Sequence, residues 1–139
     1  MTPTRRAAGS VAESRRYSAD MDVDAVVFSE RWARNWNAHD VDAVLADFHD
    51  DVVFTSPVAA KLFPETQGVV RGKAALREYW TGAVARIPDL RFSVEGVYQG
   101  IDTIVIAYRN QNGDPVNEVL TFQEGTIVEG HGTYRVSGT

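Results

Sequence analysis

At Pro88 the hydrophobic period of the chain changes from helical to alternating, so the two halves must fold by different rules. Upstream, Ala25, Phe28, Trp32 and Trp36 recur every three or four residues and make one apolar stripe. That stripe predicts a helix starting after Asp22, whose carboxylate is placed to cap exposed amides. His39 stands at a corner, Asp40 is placed to cap a second helix bearing Val41, Val44, Leu45 and Phe48, and Val52 to Thr55 reads as a short strand. Residues 57–67 read as a loop, with Lys61-Leu62-Phe63-Pro64 as a candidate flap. Gly72 opens a third helix with Ala75, Leu76, Tyr79, Trp80 and Val84 turned inward.

Downstream, Phe92, Val94 and Tyr98 alternate with polar residues and predict a half-buried strand. Thr103 to Asn110 is apolar enough on both faces to be a central strand, and Asn112-Gly113 signals a hairpin. Val116 to Gln123 returns, Glu124-Gly125 turns, and Thr126 to Val136 closes the meander. Helices first and an antiparallel sheet after make an α+β domain. Gly96, Gly130 and Gly132 fall inside strands, where they let a sheet bend sharply.

Size and charge narrow the function classes. The 139 residues suffice for one core, assigned to residues 22–139. Residues 1–21 carry four arginines against two acids and no apolar periodicity, which reads as a disordered basic tail. The rest holds ten basic and seventeen acidic residues, so phosphate-rich partners such as nucleic acid are not expected. No apolar run reaches membrane-spanning length, and without cysteine the default compartment is the cytoplasm. Metal-ligand spacings and glycine-rich phosphate loops are missing from the sequence, so neither a metal nor another cofactor is expected.

The tryptophan-bearing first helix runs into Asn37-Ala38-His39-Asp40-Val41-Asp42; Asp50-Asp51 precedes a strand that ends at Ser56-Pro57; Arg71-Gly72-Lys73-Ala74-Ala75-Leu76-Arg77-Glu78-Tyr79-Trp80 and a glycine-bearing hairpin follow. In this order, over about residues 23–136, these pieces resemble the SnoaL-like and ketosteroid-isomerase-like families of the nuclear transport factor 2 fold. The resemblance implies a cone-shaped, strongly curved antiparallel sheet on three N-terminal helices (cystatin-like), a hydrophobic cavity for a small ligand, and a homodimer. Ketosteroid isomerases move the proton with an acid before the proline and polarise the ketone with a tyrosine and a protonated acid. Carried onto this chain, those positions hold Ser56, which is no base, Trp32, which has only an N–H donor, and Glu118. Steroid isomerisation by that route is therefore disfavoured.

Glu118 shares strand parity with Leu120 and Phe122 and should face inward, where desolvation raises a carboxyl's pKa towards general acid/base range. SnoaL-like polyketide cyclases use such a cavity carboxylate in an intramolecular aldol closure, so the resemblance implies an isomerase or polyketide cyclase acting on a hydrophobic ketone. Two other readings stay open. Glu118 pairs with Arg109 or a strand-end group and does nothing chemical, or the domain is a non-catalytic module for a ligand or a protein. A hydrolase of the same fold needs acid, arginine and acid in the cavity, and this chain offers a single inward acid. The candidate ligand contacts are Trp32, Trp36, Ser56, Trp80, Tyr108, Asn110 and Tyr134, with Tyr108, Asn110 and a tryptophan N–H placed to hold a carbonyl. Val119, Thr121, Ile127, His131 and Thr133 are assigned to the outward, subunit-contact face; His39 and His49 are assigned to helix ends.

Overall fold

The computed structural model describes residues 22–139, so the basic tail assigned to residues 1–21 lies outside the described residues. Helix α1 (Ala25–Asn37) and the single-turn α2 (Val41–Leu45) lead into strand β1 (Phe48–Thr55), short helix α3 (Pro57–Leu62), a 3₁₀ turn (Pro64–Thr66) and strand β2 (Val69–Arg71). Helix α4 (Lys73–Arg86) then precedes four consecutive strands, β3 (Ser93–Gln99), β4 (Thr103–Arg109), β5 (Pro115–Gln123) and β6 (Thr126–Tyr134). The six strands form one curved sheet in the order β2-β1-β6-β5-β4-β3. Every pair is antiparallel except β1 beside β6.

Three register breaks bend this sheet: in β1 between Phe48 and Val53, in β3 between Val94 and Gly96, and between Thr121 and Phe122 where β5 meets β6. The concave side is packed by the α1 stripe of Phe28, Trp32 and Trp36 together with Leu76 and Trp80 of α4. The sheet answers with Ile104, Ile106, Leu120 and Phe122. Edge-to-face ring contacts tie the layers: Phe28 to Phe122 at 5.4 Å, Trp36 to Trp80 at 4.9 Å and Phe54 to Trp80 at 5.3 Å.

Several local expectations are corrected. Asp24, not Asp22, caps α1, its carboxylate accepting the Val27 N–H at 3.0 Å, while Asp22 sits outside the helix with φ of 36°. Phe48 opens a strand instead of closing a helix, because the Asp47 carbonyl is taken by the Ile127 N–H of β6 and the chain extends into the sheet. The expected loop after Pro57 is a helix and a 3₁₀ turn: Ser56 Oγ accepts the Val58 N–H at 3.1 Å, and Pro57 occupies the first turn, where its missing N–H costs nothing. Strand β2, three residues long, was too short to carry a periodic signal. On α4 Ala75 is exposed and Ala83 is buried in the stripe instead.

Bulges explain the errors of strand parity. In β3 the break before Gly96 turns Tyr98 outward, 64% exposed, with Val97 packed against the core in its stead; Val94, before the break and opposite Tyr108, is 37% exposed because β3 is an edge strand. The break at Thr121 and Phe122 pairs Phe122 with Ile127 and turns Ile127 fully inward, so Ile127 leaves the outward face assigned to it. His49 lies in β1, not at a helix end, and its Nδ1 accepts the Asp51 N–H.

Candidate functional site

Between the concave sheet and the helices lies a cavity of about 360 Å³. Its walls are largely rings: Trp36 from α1, Phe54 from β1, Trp80 from α4, Phe92 ahead of β3. Its polar groups are few and come from elements far apart in the sequence. Ser56 caps α3 just after β1, Tyr79 lies on α4, Tyr108 on β4, Glu118 on β5 and Tyr134 on β6, with Asn110 and Asp114 at the β4–β5 turn and Lys61 on α3.

Glu118 is 5% exposed, and burial pushes its carboxyl from the ordinary 4.5 up to about 8. The Tyr108 hydroxyl donates to the carboxylate and opposes part of that rise. Arg109 is not its partner. The Arg109 guanidinium reaches Glu95 at 2.8 Å on the outer face of the sheet, as alternation along β4 requires. No cation therefore compensates Glu118 from the neighbouring strand, and at neutral pH the carboxyl is mostly protonated.

Three phenols surround that carboxyl electrostatically. Burial pushes Tyr79 up to about 12, even though the Ser56 hydroxyl hydrogen-bonds its oxygen and lowers it. Tyr108 and Tyr134 are raised too, first by burial and then by the Glu118 charge. At neutral pH the foot of the cavity is thus uncharged and rich in O–H groups. Such a site can give and take a proton at Glu118 while the phenols hold a polar atom of a ligand.

Of the residues singled out in the sequence, Trp36, Ser56, Trp80, Tyr108, Asn110, Glu118 and Tyr134 share this one cavity wall. Trp32 does not: it is stacked at 5.5 Å on Phe92 and meets Tyr108 edge-on at 5.1 Å, behind the wall. The Trp32 and Trp36 Nε1 atoms are both buried and without a hydrogen-bond partner. Asn110 spends its carbonyl oxygen on the turn, accepting the Asn112 and Asp114 N–H groups at 3.0 Å each. His131 faces away from the cavity and hydrogen-bonds Thr55 Oγ1 at 2.6 Å. Tyr79 is a polar group of the cavity that its place in a helical stripe disguises as core. Its spacing from Leu76 and Trp80 gave only a helix stripe, and its link to Ser56 requires the end of β1 to be in place.

Among the described residues no three His, Cys, Asp or Glu side chains converge as metal ligands, and no helix is long and apolar enough to cross a membrane.

Residues 29–137 match the model of the SnoaL-like domain. A crystal structure of a SnoaL-like protein of unknown function from Burkholderia thailandensis is 34% identical, with a TM-score of 0.76 over 81% of this chain and 94% of that one. TerC, co-crystallised with polyporic acid, is 13% identical, with a TM-score of 0.66 over 80% of this chain and 91% of its own. A nuclear transport factor 2-like protein of unknown function from Cytophaga hutchinsonii is 11% identical, with a TM-score of 0.61 over 83% and 93%. The last two likenesses are of fold alone. No curated protein matches the chain.

Proposed function

The chain belongs to the SnoaL-like family, and from that premise we propose that its cavity carries out cofactor-independent acid/base chemistry on a small hydrophobic ketone, with Glu118 as the proton carrier. One observation carries this reading: a carboxyl buried in the wall of a largely aromatic cavity and pushed up to about 8 without an arginine or lysine partner. Burying an uncompensated carboxyl costs stability, and pKa values moved into the physiological range cluster where protons are transferred. The fold's capacity for a small organic ligand is illustrated by TerC, whose crystals hold polyporic acid.

In this reaction the ionised form of Glu118 takes a proton from the carbon next to the ketone and returns it to carbon or oxygen. The carbonyl oxygen gains negative charge in the transition state, and the Tyr79 and Tyr134 hydroxyls are the donors near enough to Glu118 to share its cavity. The walls exclude water and hold the apolar part of the substrate. The family's isomerases and cyclases are two outcomes of this step: the enolate is reprotonated elsewhere, or it attacks a second carbonyl. The compartment we assign is the cytoplasm, and the assembly a homodimer.

The test is proton–deuterium exchange at the carbon next to the carbonyl in a panel of cyclic aromatic ketones, followed by NMR. The exchange rate should climb with pH and level off above about 8, the value at which Glu118 ionises. In Glu118→Gln it should drop by about 10²-fold or more. Ketones that bind tightly without any accelerated exchange would instead make the domain a ligand carrier.

A further inference from the structure

Two glycines of β6 face the concave side, and they are there for different reasons. A Cβ added at Gly130 would lie 2.9 Å from Phe54 Cδ1 and 3.2 Å from Leu120 Cδ2, so packing alone demands glycine there. A Cβ added at Gly132 would lie 3.5 Å from Ser56 Oγ and 3.6 Å from Glu118 Oε1, which is ordinary contact. Nor is Gly132 among the positive-φ residues, so its backbone suits any amino acid. Neither crowding nor strain excludes a side chain at Gly132. What the glycine provides is the space itself, at the foot of the cavity and between two oxygen atoms.

We infer that Gly132 is a specificity-determining position, and that the notch it leaves between Ser56 and Glu118 seats a hydroxyl oxygen carried on a flat, apolar ring system. The inference rests on the reading of this cavity as the ligand site. Hydrogen-bond accounting selects the hydroxyl. Ser56 Oγ already accepts the Val58 N–H, and its hydroxyl can both donate to and accept from a ligand. Glu118 already accepts from Tyr108 and, being protonated at neutral pH, has an O–H to give. An atom that both donates and accepts is the best match to these two groups, Ser56 Oγ and Glu118 Oε1, on either side of the notch. An alcohol, a phenol or an enol does both; a ketone accepts only, and an ether can neither donate nor fit its extra carbon. The flat ring follows from the aromatic walls, with Trp36, Trp80 and Phe92 above the notch.

Calorimetric titration with β-naphthol, β-methoxynaphthalene and naphthalene at about pH 6, where phenols are neutral, tests the notch directly. The wild type should bind β-naphthol about tenfold more tightly than naphthalene, and the methoxy compound should gain nothing over naphthalene. Gly132→Ala should erase the naphthol preference while naphthalene affinity changes by less than about threefold, because the methyl occupies the seat of the oxygen and not the ring wall. Glu118→Gln keeps a donor and an acceptor and should retain the preference even as ketone exchange disappears. Exchange surviving in that variant would sink proton transfer by Glu118 and leave the notch standing. Equal affinity for naphthol and naphthalene in the wild type, no binding of either, or an unchanged preference in Gly132→Ala overturns the notch.

Discussion

Glu118 stores a cost that can be read as a dependence of stability on pH. Its folded value of about 8 lies above the ordinary 4.5, so between those limits the folded state binds the proton and the unfolded state does not. Its contribution is therefore complete below about 4.5, declines as pH rises through about 8, and stays lost at higher pH. The loss amounts to on the order of 3–5 kcal/mol. Urea unfolding of the wild type and Glu118→Gln at a series of pH values should show the glutamine variant gaining over the wild type as pH rises, with the curves parallel above about 8. Tyr108 sets the sign of a second expectation. Because its hydroxyl donates to the carboxylate, Tyr108→Phe removes the one hydrogen bond that lowers Glu118. The midpoint of the exchange profile should then move above about 8, and a midpoint that stays or falls counts against that hydrogen bond.

At the scale of elements, the start of helix α3 and strand β6 carry the measurable consequences. Ser56→Ala removes the cap of α3, which should cost about 1 kcal/mol in denaturant unfolding. Gly130→Ala should cost about 1–3 kcal/mol by pushing against Phe54, whereas Gly132→Ala should leave stability nearly unchanged. This contrast also marks how far sequence reading reaches. Alternation along β4 and β5 placed Tyr108 and Glu118 on the cavity side, because no register break lies within Ile104–Tyr108 or Val116–Leu120. The same rule misplaced Tyr98 and Ile127, since a single inserted residue reverses every side chain beyond it and leaves no trace in composition. Helix α3 was hidden for another reason: its six residues carry no amphipathic period, and its signal was the Ser-Pro start alone. The Ser56 link to Tyr79 joins positions twenty-three residues apart and exists only once β1 and α4 are packed.

For the molecule as a whole, the convex side of the sheet carries a row of outward residues across five strands: Tyr98, Val105, Val119, His131 and Thr55, each opposite the next. Tyr98 is 64% exposed and sits on an edge strand. This row is the face we assign to the homodimer, with Thr121 and Thr133 beside it. Light scattering should give twice the chain mass for the wild type and a single chain mass for Val119→Asp, because an unpaired carboxylate at the centre of such a contact is costly. A monomeric wild type refutes the assignment.

The aromatic cluster around the cavity has an optical consequence. All three tryptophans of the protein sit in it: Trp36 packs on Trp80 at 4.9 Å, and Trp32 and Trp36 both lie 5.5 Å from Phe92. Their emission should be blue-shifted in the folded protein. A quencher taken up in the cavity against Trp36 and Trp80 should darken the whole signal at once, since excitation migrates readily among indoles this close together. The chain thus carries its own reporter of cavity occupancy, with no label attached.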